Sequence, residues 1–189
     1  MRIAILTRKD DFHALVVCDA LRAQGVECVI VETDRLAGRG CLSWSASGGL
    51  AHATIRDAED HIVDVASLDA VWWRRLTGDP QLPVSVQDKA ARDLITRDCR
   101  ATLAGLFLSA FKGQWVSHPE ATRLAENKVL QLNAGHHAGL RVPRTLVSQD
   151  PARIRQFCEE LDYCVVVKTV AGTPMTPLLA GKIMPEMLA

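Results

Sequence analysis

Two short aliphatic runs on either side of a helical pattern constrain this fold more than anything else in the chain. Arg2 to Thr7 and Cys28 to Glu32 are β-branched and aliphatic, and read as buried strands. Between them, His13 to Gln24 carries Leu15, Val16, Cys18, Ala20 and Leu21 at helical spacing until Gly25 stops the helix. Strand, helix and strand in so little chain predict a parallel pair with a right-handed crossover, the start of a doubly wound α/β domain.

In a dinucleotide-binding protein the first strand-to-helix turn needs glycines, because only they let the backbone approach a pyrophosphate. Here that turn is Thr7-Arg8-Lys9-Asp10-Asp11, with no glycine and two carboxylates. The topology is therefore Rossmann-like without the nucleotide site, and Asp10 or Asp11 is expected to cap the helix.

Further along, Leu42–Ala46 and Leu50–Ile55 alternate and are joined through Ser47-Gly48-Gly49, a hairpin signal. Ala70 to Arg75 reads as a core strand ending in two cations. Its Trp72 and Trp73 point to opposite faces, and Gly78-Asp79-Pro80 begins a turn. A long helix is expected from Val86 to Phe111 and a strand at Trp115–Ser117. One helix then starts at Ser117 or His118-Pro119 and runs through Leu132 to near Gly139. Beyond Val142-Pro143 a strand over Arg144–Ser148, a helix opened by Asp150-Pro151 and running to Leu161, and a strand over Tyr163–Val170 are expected. Gly and Pro interrupt the pattern at Gly139–Pro143. This divides the chain into a domain over residues 1–138 and a second, partial one over 139–189.

Composition excludes several classes. Lys plus Arg equal Asp plus Glu at 22 each, so there is no basic excess to neutralise phosphates, and nucleic acid is not the expected partner. The apolar run before Arg8 is too short for a signal-peptide core, and no run approaches a membrane span. Cys18, Cys28, Cys41, Cys99, Cys158 and Cys164 form no C-x-x-C pair and have no zinc-like histidine spacing. They read as reduced, mostly buried residues of a cytoplasmic protein. His136-His137 reads as surface.

The segment Trp115 to Ala134, with Asn127-Lys128, followed by Gly139-Leu-Arg-Val-Pro143-Arg-Thr145, resembles the entry into an ATP-grasp fold. It is similar to ligases that close rings in microviridin-type ribosomal peptides and, more distantly, to ribosomal-protein glutamate ligases. Val71-Trp-Trp-Arg-Arg75 resembles the aromatic, double-arginine strand of the accompanying pre-ATP-grasp domain. The resemblance implies a Rossmann-like pre-ATP-grasp domain and the beginning of a truncated ATP-grasp (α+β) nucleotide-binding subdomain. It also implies ATP and Mg2+ as cofactors of the complete enzyme, and a ribosomally made peptide or protein as substrate. Lys128 and Lys168 would correspond to the nucleotide-contacting lysines, and Arg74 and Arg75 are candidates for an acidic substrate. A homodimer is a candidate assembly.

Chemistry agrees with the lysine assignment. A ligase that phosphorylates a carboxylate and lets an amine or hydroxyl displace phosphate needs cations over the triphosphate while charge moves. Plainer readings stand beside it: Lys128 as a solvated helix lysine, Lys168 as a strand-end side chain reaching solvent, and Arg74 with Arg75 facing solvent or pairing with Asp79 and Asp88. After Lys168 the family expects a glycine-rich loop over the phosphates, and Ala171-Gly172-Thr173-Pro174-Met175 is a sparse version of it. The only later carboxylate side chain is Glu186, so no metal site of several oxygens can be built there. Pro177 to Ile183 looks like a strand whose sheet partners lie beyond the terminus. Three readings follow: the front portion of an ATP-dependent ligase, inactive as this isolated chain; a non-catalytic peptide-binding or scaffold domain of that family; and a plain α/β domain with structural lysines.

Overall fold

A computed structural model of the chain describes residues 1–47, 50–76, 80–170 and 181–182. The expected β-α-β start forms as β1 (Arg2–Thr7), α1 (Phe12–Ala23) and β2 (Glu27–Glu32), with β1 and β2 parallel. Gly25 ends α1 at φ +76°, a left-handed conformation that glycine adopts without a Cβ penalty. Its N–H donates to the Arg22 carbonyl at 2.9 Å.

β3 (Cys41–Ser47) and β4 (Leu50–Arg56) pair antiparallel as expected, and β5 (Ile62–Asp64) adds a third strand beside β4. The glycines joining β3 to β4 lie outside the described residues. β6 (Ala70–Trp73), α2 (Lys89–Ala110) and β7 (Gln114–Val116) follow. α2 begins three residues later than expected because the Asp88 side chain caps it, accepting from the Ala91 N–H at 2.8 Å.

The chain divides into two compact units, Met1–Pro119 and Glu120–Ala189, whereas the sequence reading divides it at 138/139. In the first unit, β2-β1-β6-β7 form one parallel sheet covered on both sides. Ala4, Leu6, Val31 and Val71 pack with Ile55 and Val63 of the antiparallel sheet and with Leu103, Leu106 and Phe107 of α2. Ile5, Cys28 and the half-buried Ile30 and Trp72 turn the other way, onto Ala14 and Cys18 of α1. Burial on both faces explains why β1 is a continuous apolar run. The two tryptophans part as expected: Trp73 joins an aromatic cluster with Phe107 at 5.8 Å and Trp115 at 5.9 Å, and Trp72 faces the α1 side. On α1, however, Leu15 and Val16 lie half exposed, and Ala14 and Cys18 take the core positions.

The second unit corrects four expectations. The single helix through Leu132 is two helices, α3 (Pro119–Ala125) and α4 (Lys128–His137). Asn127 is extended at φ −73°, ψ 116° and caps α4, its Oδ1 accepting from Val129 N–H at 3.0 Å and Leu130 N–H at 3.4 Å. Arg144–Ser148 forms no strand, and Thr145 Oγ1 instead donates to the Pro143 carbonyl at 2.9 Å. α5 (Pro151–Glu159) forms with Asp150 as its cap, but the strand expected over Tyr163–Val170 shrinks to β8 (Val166–Val167). The chain after α5 is still winding: Asp162 and Tyr163 have positive φ, Tyr163 N–H donates to the Cys158 carbonyl, and Cys164 N–H donates to that of Leu161. β9 (Gly181–Lys182) pairs antiparallel with β8, so the late strand has a partner earlier in the chain.

Candidate functional site

Two places gather the charged residues singled out by the sequence. The first is the carboxyl edge of the parallel sheet, where β1 and β6 are neighbours and the strand order runs off in both directions. β1 ends in Thr7, 1% exposed, and the chain turns through Asp10 at φ 58° to Asp11, 4% exposed. Arg74 leaves β6 beside them, its N–H donating to the Leu6 carbonyl at 3.0 Å. Its Nε and Nη2 donate to Asp11 Oδ2 and Oδ1 at 2.8 and 3.3 Å, and Thr7 Oγ1 donates to Asp11 Oδ2 at 2.6 Å. The guanidinium also lies 4.7 Å from the Trp72 ring centroid.

Burial disfavours the Asp11 carboxylate. The hydrogen bonds from Arg74 and Thr7 and the Arg74 charge outweigh it, holding this carboxyl well below the usual range. Asp11 stands at the cap position of α1, but its side chain is spent on Arg74 and Thr7 rather than on capping. Arg75 is exposed and has no ion-pair partner among the described residues. Asp88 caps α2 rather than meeting either arginine, and Asp79 lies outside the described residues.

The second place is the start of α4. Lys128 is the first helical residue, half-buried, and its backbone N–H donates to the Val170 carbonyl at 2.9 Å. The start of the Lys128 helix therefore meets the chain two residues beyond the exposed Lys168. Lys128 Nζ donates to Gln131 Oε1 at 3.1 Å, and Gln131 Nε2 reaches back to the Ala125 carbonyl. The loop expected after Val170 lies outside the described residues.

Metal ligands are a different matter: among the described residues no group of three or more His, Cys, Asp or Glu could hold an ion. His136 and His137 are exposed, as expected of a surface pair. All six cysteines are free; Cys18, Cys28 and Cys158 are buried, Cys41 and Cys99 half-buried, and Cys164 exposed. Burial, then the Cys18 side chain, push the Cys28 thiol up to about 12, so it is no nucleophile at neutral pH.

A parallel sheet of order β2-β1-β6-β7, covered on both faces and without a glycine cradle, is an α/β domain of the kind that precedes an ATP-grasp fold. The chain belongs to the MvdD pre-ATP grasp domain family, whose model matches residues 2–123. No curated protein matches it in sequence. Among solved structures it is similar to the macrocyclase MdnC bound with precursor peptide MdnA from Microcystis aeruginosa MRC, at 26% identity and a TM-score of 0.86 over 100% of this chain and 60% of that one. The macrocyclase MdnB from the same organism is 26% identical, with a TM-score of 0.76 over 85% of this chain and 52% of that one. The ATP-grasp ligase PsnB complexed with minimal precursor is 27% identical, with a TM-score of 0.72 over 99% of this chain and 58% of that one. PsnB is also known complexed with minimal precursor, Mg and ADP. The chain thus spans between 52% and 60% of the length of these relatives. Among the described residues no helix is long and apolar enough to cross a membrane.

Proposed function

We propose that this chain is the N-terminal portion of an ATP-dependent carboxylate–amine or carboxylate–hydroxyl ligase of the microviridin type, acting in the cytoplasm on a ribosomally made peptide. In that enzyme Lys128 and Lys168 lie over the triphosphate of ATP. They stabilise negative charge as the γ-phosphoryl group passes to a substrate carboxylate, which an amine or hydroxyl then attacks. Arg74 and Arg75 face the acidic substrate, with Arg75 the exposed member and Arg74 held on Asp11. Two copies associate as a homodimer. The observation that carries this reading is the hydrogen bond from the Lys128 N–H to the Val170 carbonyl, which ties the start of the first lysine's helix to the segment bearing the second.

The complete enzyme uses magnesium with its ATP, and the described residues offer no cluster to hold the ion. On this reading the 189-residue chain by itself does not turn over ATP. Purified chain incubated with ATP, magnesium and acidic peptides should release no ADP. ADP release that disappears in Lys168→Ala would contradict it. A non-catalytic peptide-binding or scaffold domain derived from the same family is the second reading. Catalysis by a longer ligase that contains this segment decides against the scaffold.

A further inference from the structure

We propose that the free edge of β3 and the groove between it and α2 hold an extended peptide, which joins the three-stranded sheet as a further strand. The sheet runs β3-β4-β5, so among the described residues β3 is paired on one side only. In an antiparallel ladder every second residue turns its N–H and C=O away from its partner, and along β3 those groups face the outer edge. Edge strands are commonly blunted by lysine, proline or a bulge. β3 is Cys41-Leu-Ser-Trp-Ser-Ala-Ser47, with no charge and no proline, and it pairs with β4 residue for residue without a bulge.

A groove of about 360 Å³ lies against that edge. Cys41 and Leu42 both line it, although consecutive strand residues point to opposite faces, and no residue of β4 reaches it. The groove therefore runs along the outer edge of β3 and not under the sheet. Its other wall is α2, which contributes Leu94 and Ile95, and Leu36 closes it. Leu94 is 51% exposed, and Trp44, on the same face of β3 as Leu42, is 55% exposed. Asp98, exposed and with no ion-pair partner among the described residues, is the only charged residue among those lining the groove.

Edge and groove together define the occupant. Water satisfies an edge and any apolar body fills a groove. An extended chain does both, its backbone pairing with β3 and its alternate side chains dropping between β3 and α2. The carboxylate of Asp98 selects a lysine or arginine among those side chains. A second copy of β3 would bring only the uncharged stretch Cys41–Ser47 and leave Asp98 without a counter-charge. A peptide is the partner class already proposed, and its docking here rests on that reading; the test reads binding alone, so losing this site leaves the ligase reading standing.

The test uses the 189-residue chain and a pool of fluorescent heptapeptides with a central lysine and valine, leucine or threonine elsewhere. Anisotropy should find a binder, and amide hydrogen exchange along β3 should slow when it binds. Methylating alternate backbone nitrogens of that peptide should weaken binding roughly tenfold or more, because strand pairing needs those N–H groups. Leu94→Glu should weaken it to a similar degree with the thermal midpoint unchanged, and Asp98→Asn should weaken the lysine peptide but not its norleucine counterpart. A pool without a binder, or a binder indifferent to N-methylation and to Leu94→Glu, overturns the site. Protection of every β3 amide before peptide is added also overturns it: a second copy covers the edge if dilution releases the protection, and the chain's own residues cover it if dilution does not.

Discussion

Arg74 Nε donates to Asp11 Oδ2 at 2.8 Å across the mouth of the parallel sheet, joining the turn after β1 to the exit from β6 over 63 residues of sequence. The Asp11 side chain is 2% exposed and that of Arg74 17%. Removing one partner leaves the other desolvated and unpaired. Arg74→Ala should therefore cost roughly 3–5 kcal/mol, far more than a surface ion pair. Urea unfolding of Arg74→Ala beside Arg75→Ala checks this, since the exposed Arg75 should cost within about 0.5 kcal/mol.

The same pair gives a pH dependence with a definite sign. Asp11 titrates near 3.8 in its ordinary state and lower in the fold, so its contribution is complete above that value and is lost as pH falls through the folded value. Below about pH 4 stability should fall by up to about 1.4 kcal/mol per pH unit from this group alone. Asp11→Asn should flatten that acid limb. An unchanged acid limb in Asp11→Asn would show that other carboxylates set it.

Phe107 is fully buried between Trp73 and Trp115, with ring centroids 5.8 and 6.2 Å away. Phe107→Ala should cost about 3–5 kcal/mol, and the loss should appear in calorimetry as a lowered midpoint. Limited proteolysis should leave a stable N-terminal core, since Met1–Pro119 form one compact unit. Rapid cutting within 86–111 would contradict that expectation.

Much of the first unit was legible because its signals are local. The strand, helix and strand around Gly25 and the alternation of β3 and β4 each carry their own conformational instruction, as does Asp150-Pro151 in the second unit. What was not legible depended on partners far away or on competition between local options. Nothing near Asp11 announces a guanidinium that arrives 63 residues later, so capping was the natural reading. Asn127 sits in a run whose apolar spacing continues on both sides, and its side chain still breaks the helix by capping α4. Leu15 and Val16 have the helical spacing of core residues, yet the sheet takes the smaller Ala14 and Cys18, which allow α1 a close approach. Arg144–Ser148 has strand composition, but a strand needs a neighbour, and none pairs with it among the described residues.

Asn127 deserves its own test because it sets where Lys128 begins a helix. Asn127→Ala removes acceptors for the Val129 and Leu130 N–H groups and should cost about 0.5–2 kcal/mol, whereas Asn127→Asp should restore most of it. Thermal midpoints of the two variants separate the cap from the mere loss of a side chain.

The most direct measurement for the ligase reading pairs ATP affinity with thermal midpoint in the proposed full-length ligase, for Lys128→Met and Lys168→Met. Methionine keeps much of the aliphatic stem and removes the charge. A contact between a lysine and a phosphate contributes about 1.5–3 kcal/mol, so affinity should fall roughly tenfold or more in each variant with little change in midpoint. Unchanged affinity with a lowered midpoint in both would contradict the account and leave these lysines as parts of the fold alone.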